Sequence, residues 1–327
     1  MSPRPGTVPD PGEQAIGEVR RLMIIGGAED RRDMMKVLRR FASLAGAEDG
    51  HVVVIPTASA FESEAGGTYT TLFERLGAAS TVVVAPSSRE DAHDARWVEA
   101  LDRATGVFLT GGNQLKLSQY LVGTPTGEAI LRAHARGAVV GGTSAGASIL
   151  SRHMISLGEE GLTPRQRTAQ VSQGLGLVED VVLDQHFDQR GRYGRLMSVV
   201  AVSPALWGLG IDEDTAIELV EGRSATGERI RRFSVHGAGA VFLVDAGRAY
   251  TDAHEAADGA PLLLSGAVVH TLPAGAVFDL DAHRLAHFVE QHAQDDMIFT
   301  IRQQASDIAR LERAMERAAT PDEGDTP

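Results

Sequence analysis

Short runs of apolar residues, rich in Val and Ile, recur along the chain at residues 22–25, 51–55, 81–84, 106–110 and 138–141. Each is four or five residues long and nearly uniform in polarity, which predicts strands covered on both faces. Between them lie amphipathic stretches at 33–44, 68–76, 92–104 and 128–135, long enough to cross over a parallel sheet. The alternation predicts an α/β fold with a doubly wound, mainly parallel sheet flanked by helices. A second series of strand-like runs follows at 181–184, 207–211, 216–219 and 240–244, then a Gly- and Pro-punctuated β segment near 262–280. From about residue 284 the period becomes helical: Ile298, Ile301, Ile308, Leu311 and Met315 fall at spacings of three, four and seven. That stripe predicts a helical tail over 284–318 docked on its own domain, with an intersubunit seam as the alternative. Residues 1–19 and 319–327 lack either pattern and are expected to be disordered, leaving 20–283 as the main α/β domain.

Composition narrows the partners. With 43% hydrophobic residues the 327-residue chain can bury a sizeable core. A net charge of −13 disfavours nucleic acid and anionic lipid surfaces, and an acidic surface suits guanidinium-bearing substrates. The chain has no cysteine, which excludes thiolate catalysis, disulfides and Cys-ligated zinc. Prolines and polar residues fill MSPRPGTVPDPGEQ where a signal peptide needs an apolar core, and no run is long enough to span a bilayer. A cytoplasmic protein is the expectation.

The strand ends carry the chemistry. IIGGAED, IPTAS, LTGGNQ and VVGGTSAGAS each place Gly or hydroxyl residues directly after an apolar run, where open α/β sheets collect their ligands. In the last of these a strand passes through Gly142 and Ser144 to Gly146 and a helix, the context of a nucleophile elbow. Helix capping is the competing role for that serine. A serine nucleophile needs an imidazole base. His93, His134, His254 and His292 sit among polar residues and are expected on the surface, whereas His186 follows a buried run in VVLDQHFDQRGRYGRL. Asp184, Gln185, Asp188, Arg190, Arg192 and Arg195 crowd polar groups beside that run, a costly arrangement unless they bind something. Farther on, GLGIDEDTAIEL brings Asp212, Glu213 and Asp214 to a third strand end. The residues alone do not choose among these three carboxylates for the group that orients the imidazole.

Taken together, GGAED, TGGNQ, GGTSAGAS, DQHFDQRGRYGRL and GIDEDTA resemble the cyanophycinases, a serine peptidase family that includes aspartyl dipeptidase. The resemblance covers roughly residues 22–280 and implies a class I glutamine amidotransferase-like, flavodoxin-like domain. By position it implies Ser144 as nucleophile, His186 as base and Glu213 as third member, at intervals of 42 and 27 residues similar to the family's. It further implies the amides of Gly112 and Ala145 as oxyanion hole, and Gln114, Asp184, Gln185, Arg190, Arg192 and Arg195 as substrate contacts. The expected reaction is cleavage of the polymer cyanophycin, multi-L-arginyl-poly-L-aspartate, into β-Asp-Arg dipeptides by a homodimer without metal or other cofactor.

Other readings are weaker on the residues. The order Ser, His, Glu differs from that of α/β-hydrolases and of both familiar serine protease folds. Neither GxGxxG nor GxxxxGK[ST] occurs at a strand–helix junction, which removes the support for a nucleotide-binding module. A dipeptidase or isopeptidase with a different Asp-containing substrate shares the triad and is the principal alternative. A polymer-binding protein without activity does not need an intact triad.

Overall fold

The computed structural model describes residues 10–12 and 15–289. Its first half alternates strand and helix: β1 (Ile16–Ile25), α1 (Lys36–Leu44), β2 (His51–Ile55), α2 (Glu62–Arg75), β3 (Ser80–Val83), α3 (Ala95–Asp102), β4 (Gly106–Leu109), α4 (Gln114–Leu121), α5 (Pro125–Ala135), β5 (Val139–Thr143) and the one-turn α6 (Ala145–Ser148). The second half is mostly strand: β6 (His153–Gly158), β7 (Ala169–Gln173), β8 (Val181–Gln185), α7 (Tyr193–Val202), β9 (Trp207–Ile211), β10 (Thr215–Arg223), β11 (Arg229–Gly237), β12 (Ala240–Asp245), β13 (Tyr250–Thr251), β14 (Leu264–Ser265), β15 (Val268–Pro273), β16 (Ala276–Asp279) and β17 (Arg284–Phe288).

Nine strands form one sheet in the order β17-β16-β11-β10-β1-β5-β4-β2-β3. From β1 outward through β5, β4, β2 and β3 every ladder is parallel, whereas on the other side of β1 every ladder is antiparallel. The doubly wound part is the parallel half. Successive residues of a strand point to opposite faces, so Leu22 and Ile24 enter one core and Met23 and Ile25 the other. Helices α4 and α5 close the first with Leu117 and Ile130. Helices α1 and α2 close the second, where Phe41 and Phe73 meet Phe108 of β4 with centroids 5.1 Å apart in both pairs. Each fully buried Phe ring contributes about 1.5–3 kcal/mol. Two-sided burial is why the runs of β2, β4 and β5 read as continuously apolar; edge strand β3 leaves Val82 and Val83 exposed.

A second sheet, β15-β12-β9-β8, pairs β8 and β9 in parallel from Val181↔Trp207 to Gln185↔Ile211. Helix α7 covers it with Leu196, Val199 and Val200 against Val182 and Val244. The parallel register brings the carboxyl ends of β8 and β9 side by side.

Two boundaries differ from the sequence reading. Strand β1 begins at Ile16, inside the stretch expected to be disordered, because Ile16 pairs with Arg223 beyond an irregularity in the β1–β10 ladder. Arg284–Phe288, expected to open the helical tail, is instead edge strand β17, held to β16 from Ala276↔Phe288 to Asp279↔Arg284. The helical stripe starts only at Ile298, and backbone pairing with a preceding strand leaves no periodic mark in so short a segment. From residue 290 onward, the expected tail lies outside the described residues. Among those described, no helix is long and apolar enough to cross a membrane.

Candidate active site

Strand β5 ends at Thr143, and the chain turns into α6 through Ser144, whose backbone sits at φ 54° and ψ −115°. Such a conformation costs a non-glycine residue on the order of 1–3 kcal/mol and persists only where its surroundings impose it. The N–H of Ser144 donates to the Ile25 carbonyl at 3.1 Å. A Cβ on Gly142 would lie 2.0 Å from the Gly146 carbonyl oxygen, and one on Gly146 would lie 2.1 Å from that of Leu109. The turn is therefore this tight only with glycine at both places. Ser144 occupies the N-cap position of α6, yet its side chain makes no capping bond. Its Oγ instead lies 2.9 Å from His186 Nε2.

His186 follows β8 at φ 48°, with its N–H donating to the Gly26 carbonyl at 2.8 Å. Its Nδ1 is 2.6 Å from Glu213 Oε1. With a carboxylate at Nδ1, that nitrogen carries the proton and donates it, and Nε2 faces the serine hydroxyl as acceptor. The neighbouring carboxylates are engaged elsewhere. Asp212 accepts from the N–H groups of Asp188 and Ala240, both at 3.1 Å, and Asp214 accepts from that of Asp30 at 2.8 Å. Glu213 is left facing the imidazole, and its own N–H donates to Gln189 Oε1 at 2.9 Å.

The remaining candidates divide into two groups. Gly112 and Ala145 stand beside the serine: a Cβ on the adjacent Gly111 would lie 3.3 Å from Ser144 Cβ, and Ala145 directly follows it. Among the described residues, neither the Gly112 nor the Ala145 N–H donates to a protein acceptor outside regular secondary structure. Asn113 fixes this loop, donating its N–H to Ala58 O at 2.8 Å and capping α4 with its side chain. The second group centres on β8, with Gln114 apart from it on α4. Asp184 is 1% exposed and ion-paired with Arg195, whose Nε lies 2.6 Å from Oδ2, and more distantly with Arg192 at 3.5 Å. Arg192 also donates to the Gln185 carbonyl at 2.6 Å and to Gln185 Oε1 at 2.8 Å, while its Nε has no partner. Burial and the charge of Arg195 lower the Arg192 pKa to about 10. Gln114 donates to the carbonyls of Ile155 and Ser156 on β6. Arg190 alone of the three arginines is exposed.

Several features escaped the sequence reading. A cavity of about 310 Å³ opens on Ser144, Thr143 and Gly111 and is walled by Glu29, Tyr69 and Arg31. Glu29 is buried there, accepting from Tyr69 and, at 2.5 Å, from Thr143 Oγ1. Burial, followed by the charge of Glu29, holds the Tyr69 pKa well above its ordinary value. Position in GGAED was the available signal for Glu29; Tyr69 on α2 carried none. His134, expected on the surface, is 4% exposed on α5, and burial together with Arg20 lowers its pKa to about 4. Its polar neighbours in sequence concealed a helix face turned inward. His93 and His254 are exposed as expected, and His292 lies outside the described residues. No group of three or more His, Asp or Glu side chains that could hold a metal occurs among the described residues.

The sequence model of peptidase family S51 matches residues 22–226, more than half the chain. A cyanophycinase of Nostoc sp. is 38% identical over 262 residues, covering 79% of this chain and 85% of that protein. A cyanophycinase of Geminocystis herdmanii is 35% identical over 272 residues, 82% of this chain and 97% of the relative. In fold, the chain is similar to the crystal structure of a peptidase from an acI-B1 Actinobacterium, with a TM-score of 0.56 at 22% identity over 81% of this chain and 98% of that one. The matched segment contains all three strand ends that meet at the imidazole, and this chain accordingly belongs to peptidase family S51, as a serine-type hydrolase.

Proposed function

We propose that this peptidase is a cyanophycinase, which hydrolyses the poly-aspartate backbone of cyanophycin and releases β-Asp-Arg dipeptides. The observation that carries the reading is the hydrogen-bonded line from Glu213 through His186 to Ser144, at 2.6 and 2.9 Å, in a chain whose curated relatives are cyanophycinases.

Ser144 Oγ attacks the backbone carbonyl carbon while its proton passes to His186 Nε2. Glu213 accepts the Nδ1–H bond throughout, which fixes the tautomer and stabilises the imidazolium. The carbonyl oxygen becomes an oxyanion between the N–H groups of Gly112 and Ala145, and two such donors lower the barrier by several kcal/mol. The tetrahedral adduct collapses, the imidazolium gives its proton to the leaving amine, and water repeats the sequence on the acyl-enzyme. Gln114, Asp184, Gln185, Arg190, Arg192 and Arg195 form the substrate side of the groove. In that role the exposed Arg190 meets a substrate carboxylate directly, and Asp184 keeps Arg192 and Arg195 in place. A cytoplasmic homodimer completes the proposal, to be tested by fractionation of cells and by light scattering.

The deciding experiment is incubation with purified cyanophycin and mass spectrometry of the products. The expected product is the β-Asp-Arg dipeptide, absent with Ser144→Ala. A different product, or equal release by the variant, would overturn the proposal.

A further inference from the structure

The cavity over Ser144 is not lined by Arg190, Arg192 or Arg195. Arg31 and Thr68 line it, and the same two residues line a second hollow of about 320 Å³ whose walls also include Arg32 and Arg75. All three arginines are exposed, and among the described residues none is ion-paired with a carboxylate. Arg75 is nonetheless held in place: its Nη2 donates to the Arg31 carbonyl at 3.2 Å and lies 2.7 Å from Met35 Sδ. The Arg31 guanidinium also hydrogen-bonds the Tyr69 hydroxyl, and the three guanidiniums, without an ion-paired carboxylate among the described residues, gather positive charge on one hollow in a chain of net charge −13. Like charges gathered on one hollow repel, and an anion seated between them turns that repulsion into attraction. The cavity over the serine is lined by Glu29 and the exposed Glu64 as well as by Arg31.

A substrate that fits both signs of charge carries a cation and an anion on each unit. Resting on the cyanophycin reading, we infer that the hollow lined by Arg31, Arg32 and Arg75 is a remote substrate subsite. It binds the free α-carboxylate of an arginine group on a unit of the polymer beyond the scissile bond, while Glu64 faces the guanidinium. This arm lies on the α2 side of Ser144 and is separate from the Asp184, Arg192 and Arg195 cluster. Its contacts form equally in the ground and transition states, so they lower KM and leave the chemical step to the triad.

The test compares wild type, the double variant Arg32→Ala/Arg75→Ala, and Arg167→Ala, which removes an exposed arginine outside both cavities. On cyanophycin the double variant is expected to lose about tenfold in kcat/KM through KM, as for one charge-assisted contact. The preference for cyanophycin over a two-unit (β-Asp-Arg)₂ substrate falls by the same factor, and the loss of rate with added NaCl becomes shallower. Thermal unfolding of each variant establishes that it folds, and Arg32→Gln with Arg75→Gln serves if the alanine pair does not. A polymer kcat/KM within twofold of wild type, or an equal loss in Arg167→Ala, overturns the subsite alone. Wild-type enzyme that leaves cyanophycin intact overturns the cyanophycin reading, and this inference with it.

Discussion

Replacing Gly27 with Ala tests the positioning of the proposed base, His186, without substituting any of the proposed reacting residues. Gly27 has φ 105°, and a Cβ there would lie 2.4 Å from His186 Cε1, 2.5 Å from Nε2 and 3.1 Å from Nδ1. Ordinary carbon contacts begin near 3.4 Å, so the ring or the backbone must retreat by roughly 1 Å. The backbone is tied, because the carbonyl of Gly27 accepts from the Asp214 N–H at 2.9 Å and that of Gly26 from the His186 N–H at 2.8 Å. The ring therefore moves, and a shift of that size breaks one of its bonds, to Glu213 or to Ser144. A misplacement of about 1 Å costs on the order of a hundredfold in rate, equivalent to about 2.7 kcal/mol in the barrier. The left-handed backbone adds about 1–2 kcal/mol of strain for a residue with a Cβ. The assay is kcat on a small activated ester, with circular dichroism and thermal unfolding on the same preparation. The expected outcome is a folded protein with a slightly lower melting temperature and about one hundredth of the wild-type kcat. A kcat within threefold of wild type in folded Gly27→Ala would refute the claim that this glycine exists to admit the imidazole.

Glu213→Gln is expected to lower kcat by about a thousandfold or more by losing the correct tautomer, whereas Asp212→Asn stays within about tenfold; the reverse order would reassign the acid. Glu218, 0% exposed, is ion-paired with Arg21, Arg40 and His236. Burial alone raises its pKa, but hydrogen bonds from His236 and Arg40 outweigh burial and bring it from 4.5 to about 2. A depressed pKa stabilises the fold fully above the unfolded value of 4.5 and less and less as pH falls toward 2. Urea unfolding should thus show Glu218→Gln less stable by about 3 kcal/mol at pH 7, with the gap to wild type closing between pH 4.5 and 2; parallel curves would contradict this. Asp184→Asn leaves Arg195 and Arg192 buried without their carboxylate and should cost about 3–5 kcal/mol of stability, read from the urea midpoint; a cost under 1 kcal/mol would mean that water already screens the pair.

The elements that the sequence reveals are those with a strong local signal. All five parallel strands lie within a residue or two of their apolar runs, apart from the early start of β1; for β2, β4 and β5 burial on both faces leaves no ambiguity of period, whereas β3, expected to be covered on both faces, is the sheet edge with Val82 and Val83 exposed. Ser144, His186 and Glu213 follow such runs, so each was placed at a strand end before any pairing was known. What local pattern does not encode is which strands neighbour one another. The β6–β7 hairpin and β11 were missed, since exposed Val171 on β7 and the charged Arg229, Arg231 and Arg232 on β11 obscure the strand pattern. Gly191 turns the chain at φ 56°, and α7, which begins two residues later, buries Arg195 among apolar residues that the arginine-rich sequence masks. The choice among Asp212, Glu213 and Asp214 came from resemblance alone, because it depends on three backbone N–H groups, of Asp188, Ala240 and Asp30, that occupy the flanking two.

The role of the first glycine motif emerges from the same hydrogen bonds. Strand β1 stands where the parallel and antiparallel halves of the nine-stranded sheet meet, and its end passes next to the second sheet. Three consecutive carbonyls there accept from the site: Ile25 from Ser144 at 3.1 Å, Gly26 from His186 at 2.8 Å, and Gly27 from Asp214, the residue after Glu213, at 2.9 Å. Ser144, His186 and Asp214 each have positive φ, at 54°, 48° and 46°. Each is a non-glycine residue in a region that such residues rarely occupy. One short segment thus fixes the spacing of three loop ends that arrive from β5, β8 and β9, and the strain at each is held by a bond to it. Side chains on this segment would fill the space that the loops need: a Cβ on Gly26 lies 2.0 Å from the Asp212 carbonyl oxygen, and one on Gly27 lies within the imidazole. The two glycines of GGAED therefore serve this arrangement by what they lack, leaving a bare edge of backbone on which Ser144, His186 and Glu213 are brought into line.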